Sequence, residues 1–140
     1  MGNAVFDCMR FDIITIFPEI FSSYFKESLL SRAQEKNLVE INVHNLRGWT
    51  DDPHKTVDDS PFGGGLGMVM KIEPIYKALH AIKSEIRSTK SKTILFTPRG
   101  KKFNQKKACE FSKLNQLTMI CGRYEGIDER VGKYLADEQI

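Results

Sequence analysis

The sequence predicts an α/β fold with a mostly parallel sheet and helices on both of its faces. Short apolar runs typical of buried strands alternate with segments whose apolar residues recur at the spacing of an amphipathic helix. Such alternation is typical of parallel sheets, because each crossover helix returns the chain to the same end of the sheet. The 140 residues, 41% of them hydrophobic, suffice for one domain, and we see no repeats and no internal boundary.

The first half of the chain contains two predicted strands and one helix. Residues 11–17 form an apolar strand. Pro18 suits the first turn of a helix, and we interpret its apolar face as core made of Phe21, Tyr24, Phe25 and Leu29. Residues 38–43 form the next strand, and the polar residues 45–60 are predicted to be a long functional or mobile loop.

The second half repeats the alternation. Pro74 opens a helix that residues 88–92 end. The buried face of this helix is predicted to consist of Ile75, Leu79, Ile82 and Ile86. A strand follows at residues 93–96. Asn104 is suited to cap the next helix, whose apolar face consists of Ala108, Phe111 and Leu114. The last strand comprises residues 117–121.

Residues 121–131 (CGRYEGIDERV) combine glycines, acids and arginines directly after that last strand. Ile127, Val131 and Leu135 then recur at helical spacing, so this segment is predicted to be a strand-to-helix turn. Open α/β sheets bind ligands at the carboxyl ends of their strands, where glycines let backbone N–H groups approach. A glycine-containing loop with solvated charges is the alternative interpretation.

A second loop of this kind, residues 97–102 (TPRGKK), follows the strand at 93–96. A right-handed crossover would place the two strands side by side, so that both loops line one crevice. Pro98 has no N–H and a fixed φ, which favours a rigid rim facing a flat ligand edge.

The third unusual segment, residues 58–68, has glycine at four of five consecutive positions. It does not fit the dinucleotide fingerprint, because Met68 and Met70 stand where glycine is needed, and the chain has no P-loop motif. A flexible linker is the alternative, although linkers are usually serine-rich and lack an apolar continuation. We therefore predict a loop whose backbone approaches a ligand.

Charge and cysteine content give broader indications. The net charge is +3, and a group of cations without an intervening acid could meet phosphates or simply form a solubilising face: Arg99, Lys101, Lys102, Lys106 and Lys107. The three cysteines and three histidines show no metal-ligand or disulfide pattern. The sequence shows no signal peptide and no apolar stretch long enough to cross a bilayer. Together with the unpaired cysteines, this indicates a protein of the reducing cytoplasm without a membrane partner.

Four motifs together resemble one family. Residues 17–21, 56–68, 97–100 and 121–131 are similar, in order, to those of the bacterial tRNA (guanine-N1)-methyltransferases, and the similarity begins at Met9. That family belongs to the SPOUT class, so the resemblance implies S-adenosylmethionine bound in a deep trefoil knot, a homodimer, and methylation of N1 of the guanine just 3′ of the tRNA anticodon. We accordingly expect an extra segment at residues 1–8 and an incomplete S-adenosylmethionine-binding methyltransferase domain at 9–140.

The resemblance also implies site residues. The adenosine part of the cofactor would lie between two sets of residues. The first set comprises Leu95, Thr97, Pro98 and Gly100, and the second comprises Gly122, Tyr124 and Gly126. The guanine and its neighbour would contact Asp58, Gly63, Gly64 and Gly65. Glu125 and Arg123 would support the reaction, whereas Asp128 and Glu129 are interpreted as acids at a helix N-terminus.

In the family the chain continues past the position of Ile140 into the knot-threading segment and a helical domain that holds the proposed general base. We therefore expect residues 1–140 to be inactive alone. A non-catalytic RNA-binding or dimerisation module is the alternative function. A hydride-transfer enzyme would need one of the glycine spacings that are missing.

Overall fold

The computed structural model describes residues 8–86, 88–123 and 125–140. Its strands are β1 (Met9–Thr15), β2 (Val39–Asn45), β3 (Asp58–Asp59), β4 (Val69–Met70), β5 (Ser91–Leu95), β6 (Gln116–Ile120), β7 (Gly126–Ile127) and β8 (Glu138–Gln139). Its α-helices are α1 (Pro18–Phe25), α2 (Ser28–Glu35), α3 (Ile72–Glu85) and α4 (Gln105–Phe111). A 3-10 helix (Leu46–Trp49) and one π-helical turn (Val131–Leu135) complete the described elements.

The main sheet has the strand order β2-β1-β6-β5-β8, and every pairing in it is parallel. Leu95 lies opposite Ile120, so β5 and β6 are neighbours that end at the same edge, as the crossover argument predicts. A smaller sheet, β3-β4-β7, lies beyond that edge and contains one antiparallel and one parallel pairing.

Two apolar clusters cover the main sheet. The larger packs α3 against residues of β1, β5 and β6, and it includes Ile75, Leu79 and Ile82, which confirms the predicted face of α3. The smaller packs α4 on alternate strand residues through Ile94, Phe111 and Leu117. Burial of each such side chain contributes about 1.5 to 3 kcal/mol, so these clusters stabilise both helices.

The ends of the two packed helices follow local chemistry. Asn104 caps α4 as predicted, because its Oδ1 accepts a hydrogen bond from the N–H of Lys107 at 2.9 Å. Pro74 lies in the first turn of α3, where its missing N–H costs no intrahelical hydrogen bond. The helix begins two residues earlier than the proline suggests, at Ile72.

The predicted buried face at Phe21, Tyr24, Phe25 and Leu29 is wrong. The helix is broken: α1 ends at Phe25, and α2 begins at Ser28, whose φ of 50° does not belong to an α-helix. Tyr24 is 69% and Leu29 74% exposed. The break separates the four positions between two helices, so they cannot form one continuous face.

Residues 45–60, interpreted as a long functional or mobile loop, form a long connection with a short ordered element at each end. Asn45 caps the 3-10 helix by accepting the N–H of Arg47, and Leu46 and Val57 are fully buried at the two ends of the connection. Asp58 and Asp59 then pair with β4. Two buried apolar anchors therefore hold a segment whose polar composition suggests a loop.

The helix predicted through Ile127, Val131 and Leu135 begins later than expected. The backbone of Ile127 pairs with Met70 in the small sheet, which excludes helical geometry there. Only a wide turn remains, closed by the N–H of Ala136 donating to the carbonyl of Val131 at 3.0 Å. Val131 is the one described residue of that turn that is fully buried.

A buried carboxylate joins three strands of the sheet. Asp12 has no exposed surface and accepts hydrogen bonds from Arg10 at 2.9 and 3.0 Å, from His44 at 2.8 Å and from Gln116 at 2.8 Å. Arg10 also binds Glu85 at the end of α3. Burial opposes ionisation of Asp12, but the hydrogen bonds from His44, Arg10 and Gln116 outweigh it and lower its pKa.

We expect Asp12→Ala to lower the free energy of unfolding by about 3 to 5 kcal/mol at neutral pH, because Arg10 and His44 lose their buried partner. Since folding lowers the pKa of Asp12, its contribution is present above the unfolded value and is lost as the pH falls through the folded value. Urea unfolding at several pH values measures both effects.

The matched control is Asp51→Ala, which removes an exposed carboxylate paired with Lys77 and should change stability by less than about 1 kcal/mol. Equal losses in the two variants, or a loss at Asp12 that persists unchanged in acid, would contradict this account.

Candidate functional site

The loops after β5 and β6 open into one cavity of about 780 Å³ at the carboxyl edge of the sheet. Five of the predicted cofactor residues line it: Leu95, Thr97, Pro98, Gly122 and Gly126. Tyr124, also predicted, lies outside the described residues. The structure thus brings together two loops that are far apart in sequence, as the pairing of β5 with β6 requires.

Gly122 is in close contact with another residue of the cavity lining. A Cβ at this position would lie 3.0 Å from Cδ1 of Ile127 and 3.9 Å from the carbonyl oxygen of Phe96. Any larger side chain at residue 122 must therefore displace Ile127, which itself lines the cavity. Sequence reasoning placed Ile127 on a helix and missed this contribution.

Gly100 has a different environment from the one predicted. It lies on a neighbouring hollow of about 330 Å³ rather than on the main cavity. A Cβ there would lie 2.3 Å from the carbonyl carbon of Ile140. The absence of a side chain at Gly100 therefore allows the backbone of residue 140 to approach.

Residues 139 and 140 lie between β5 and the loop at 97–102. Ile140 donates its N–H to the carbonyl of Leu95 and accepts from the N–H of Thr97, each at 2.9 Å. The N–H of Lys101 donates to the carbonyl of Gln139 at 2.9 Å. Gln139 also lines the cavity, so these residues contribute to its wall.

Glu125 ties the glycine-rich loop (residues 60–68) to the cavity. Its Oε2 accepts the N–H of Met68 at 2.9 Å, and its own N–H donates to the carbonyl of Met68 at 3.4 Å. Gly67 has a φ of 99°, which favours glycine, and a Cβ there would lie 2.4 Å from the carboxyl carbon of Glu125 and would displace that carboxylate. The β4–β7 pairing continues the attachment.

The predicted substrate residues lie apart from the cavity lining. Asp58 pairs with Met70 in the small sheet, and Gly63, Gly64 and Gly65 are exposed near the tip of the glycine-rich loop. The three glycines therefore lie on the loop that Glu125 holds, whereas Asp58 lies on β3.

Charged side chains surround the cavity mouth. The guanidinium carbon of Arg123 lies 5.1 Å from the ring centroid of Phe17, and Arg99 pairs with Glu129 at 3.4 Å. Asp128 accepts hydrogen bonds from the backbone and the guanidinium of Arg130, which lower its pKa. The partner of Asp128 is thus Arg130, and Asp128 also lines the cavity with Glu129.

Two further features limit the chemistry of the site. Burial raises the pKa of the Cys121 thiol to about 11, so this cavity residue is a neutral thiol at physiological pH rather than a nucleophile. Across the described ranges 8–86, 88–123 and 125–140, no group of three or more His, Cys, Asp or Glu side chains could hold a metal ion. In the same ranges, no helix is long and apolar enough to cross a membrane.

Some of the cations at residues 99–107 already form ion pairs within the chain. Lys107 pairs with Glu110 at 2.9 Å and with Glu138 at 2.8 Å, while Lys101, Lys102 and Lys106 are exposed. Arg99 and Lys101 lie on the small hollow beside the cavity. An accessible positive rim therefore remains next to the site.

Comparisons with known proteins agree with this geometry. The model of the family described as tRNA (Guanine-1)-methyltransferase TrmD matches residues 9–140. A tRNA (guanine-N(1)-)-methyltransferase of Dictyoglomus turgidum is 56% identical over 130 residues, which are 93% of this chain and 51% of the relative. One from Enterococcus faecalis is 48% identical over 130 residues, with 93% and 53% covered.

A solved structure also matches. The crystal structure of tRNA (m1G37) methyltransferase from Aquifex aeolicus superposes with a TM-score of 0.85 at 41% identity, covering 95% of this chain and 59% of that one. The predicted SPOUT-type α/β fold with a mostly parallel sheet is thereby confirmed. The chain spans about half the length of the curated relatives it matches. It belongs to the tRNA (guanine-1)-methyltransferase family.

Proposed function

We propose that this chain forms the cofactor-binding part of an enzyme that transfers a methyl group from S-adenosylmethionine to N1 of the guanine just 3′ of a tRNA anticodon. The observation that carries the proposal is the cavity of about 780 Å³ built by the loops after β5 and β6 in a member of this family. Sites for small molecules are typically of this size and lie at this edge of an α/β sheet.

The residues of the cavity fit S-adenosylmethionine. Leu95 and Ile127 offer apolar surface to a flat adenine, and the backbone of Thr97, Pro98 and Gly122 can meet its polar edge. Asp128 and Glu129 provide negative charge suited to a sulfonium and an ammonium group. When bound, this cofactor supplies an electrophilic methyl group on its sulfonium sulfur.

The chain's own residues would bind and orient the reactants. The exposed guanidinium of Arg123 is suited to donate to O6 of guanine as negative charge develops there. Glu125 would act as a positioning residue, since its carboxylate already accepts the N–H of Met68 and holds the glycine-rich loop at the cavity. We assign the general base that takes the N1 proton to the part of the family's chain that follows Ile140.

A non-catalytic RNA-binding or dimerisation module is the second candidate. The exposed cations at Lys101, Lys102 and Lys106 favour RNA. The exposed apolar residues of α1 and α2 favour a second copy: Ile20, Tyr24 and Leu29. We propose tRNA and a second copy as partners of the same protein, and a cytoplasmic location, consistent with its three free cysteines.

We expect Gly122→Val to lower the affinity for S-adenosylmethionine at least about tenfold, because the new side chain must displace Ile127, which lines the cavity. The change is best made in a chimaera in which this chain is joined after Ile140 to the remainder of the Dictyoglomus turgidum relative. Isothermal titration measures the affinity, and thermal unfolding should stay cooperative. Gly48→Val is the control, since a Cβ at Gly48 meets no atom within 4 Å; equal affinities in both variants would refute the placement.

We further expect residues 1–140 alone to bind S-adenosylmethionine weakly and to transfer no methyl group to tRNA. Loss of a general base alone typically costs about a hundred- to ten-thousandfold in rate, and an open cavity lets water compete for the ligand's polar edges. Titration and radiolabelled methyl transfer with this chain and with the chimaera are the measurements. Equal affinity and rate in both proteins would place the whole site within these residues.

We expect two copies of the chain to associate through the exposed apolar residues of α1 and α2. Burial of such a surface between two copies is favourable, so sedimentation equilibrium should detect a dimer that Leu29→Lys weakens. Lys36→Glu, which also changes charge near the end of α2, is the control. A clean monomer at high concentration would contradict the proposed homodimer.

A further inference from the structure

An aromatic ring at the end of β1 lies against an arginine of the cavity. The guanidinium carbon of Arg123 is 5.1 Å from the ring centroid of Phe17, which is within the distance of a cation–π contact. Arg123 lines the cavity, whereas Phe17 lies between β1 and α1. The contact therefore joins a residue of the site to an element that the site has not involved so far.

The register of the sheet brings these two side chains together. β1 and β6 are parallel neighbours in which Ile14 lies opposite Ile120, and the N–H of Cys121 donates to the carbonyl of Ile14 at 3.0 Å. Phe17 and Arg123 each lie three residues beyond this pair. Two chain segments that leave adjacent strands at the same edge thus carry the ring and the guanidinium.

The backbone sets the position of the ring. The N–H of Phe17 donates to Oγ1 of the buried Thr15 at 3.1 Å. The carbonyl of Phe17 accepts the N–H of Ile20 at 3.3 Å in the first turn of α1, and Pro18 disfavours a helical conformation at the residue before it. Since the ring itself is 41% exposed, these local contacts contribute to its placement in addition to burial.

The guanidinium of Arg123 differs from those of its neighbours. Its backbone N–H donates to Sδ of Met70 at 3.2 Å, and Phe17 is the partner of its side chain. Within residues 8–86, 88–123 and 125–140, no carboxylate forms an ion pair with it. Two other arginines near the cavity are paired with acids: Arg99 with Glu129 and Arg130 with Asp128. Contact with a ring, unlike pairing with a carboxylate, leaves the N–H donors of a guanidinium available to a ligand.

We propose that Phe17 is a positioning residue, which holds the guanidinium of Arg123 at the cavity mouth with its donors free for O6 of the target guanine. The inference rests on the proposed function, which assigns that donation to Arg123. An arginine side chain has many rotamers, so a ring that restrains it before the substrate arrives removes part of the entropy cost of the reaction.

The first test uses residues 1–140 and detects the contact by NMR. Protons over the face of an aromatic ring are shielded, so the side-chain protons of Arg123 should resonate at lower chemical shift than those of an unrestrained arginine. Arg123→Lys identifies these signals. Phe17→Leu keeps apolar bulk without a ring and should return them to the usual position, whereas Phe17→Tyr should preserve their shift. Phe103→Leu is the matched control, because that ring is 54% exposed but stacks on Phe111.

The second test measures methyl transfer to tRNA by the chimaera that continues after Ile140 with the remainder of the Dictyoglomus turgidum relative. Phe17→Leu should lower the single-turnover rate constant about 2- to 5-fold, the range for one exposed cation–π contact. The RNA concentration that gives half the maximal rate should not change, because the donation by Arg123 strengthens only in the transition state. Phe17→Tyr should restore the rate, and Phe103→Leu should leave it unchanged. In an Arg123→Ala background, Phe17→Leu should have no further effect.

Four results would overturn the proposal. If Phe17→Leu does not move the signals of Arg123, the ring does not hold the guanidinium, while the proposed function stands. If Phe17→Leu slows transfer equally with and without Arg123, the ring acts by another route. If only the RNA concentration for half-maximal rate rises, Phe17 contributes to RNA binding and not to positioning. If the wild-type chimaera transfers no methyl group, the proposed function fails and the positioning role with it, and the NMR shift then reports a structural contact alone.

Discussion

The parallel pairing of β5 with β6 is the constraint on which the site depends. Because the strands are parallel and Leu95 lies opposite Ile120, both strands end at the same edge of the sheet. The loops that follow them therefore face each other. The buried α3 and α4, one on each face of the sheet, hold the two strands in this register through the apolar clusters. A slip of one residue would exchange the two faces of a strand, so that Leu95 and Ile94 would each leave the apolar cluster in which they pack. The cavity is thus a consequence of sheet register, and the loop sequences decide what enters it.

A second level of organisation comes from polar contacts between loops. The carboxylate of Glu125 accepts the N–H of Met68, and two ion pairs join Asp128 to Arg130 and Glu129 to Arg99. The acids and arginines around the cavity therefore position one another in addition to facing a ligand. Such pairs near the surface contribute little to stability, about 0 to 1 kcal/mol each, and their effect is mainly on geometry. The Asp12 network differs from these pairs, because the Asp12 carboxylate at its centre is fully buried. Stability and site geometry therefore rest on different electrostatic interactions in this chain.

Local sequence chemistry predicted much of the fold and one side of the site. The cap at Asn104 and the buried face of α3 depend on residues within one helix, so periodicity and capping preferences suffice to find them. The failure at Leu29 has its cause in a backbone break at Ser28, which the apolar pattern does not signal. Gln139 and Ile127 were missed because their positions depend on pairing with distant strands. Gly100 was recognised as special for its loop, whereas the structure assigns its small size to contact with Ile140.

The placement of residues 138–140 has a consequence for how the chain assembles. These residues add to the edge of β5 while the loop at 97–102 closes over them through the N–H groups of Thr97 and Lys101. During synthesis β5 and that loop leave the ribosome first, so the loop has to remain open, or reopen, until the later segment arrives. Contacts between residues so distant in sequence form slowly, because chain entropy is lost before they are made. The loop at 97–102 can therefore take its final position only after residues 138–140 have been synthesised, although the loop itself precedes them in the chain.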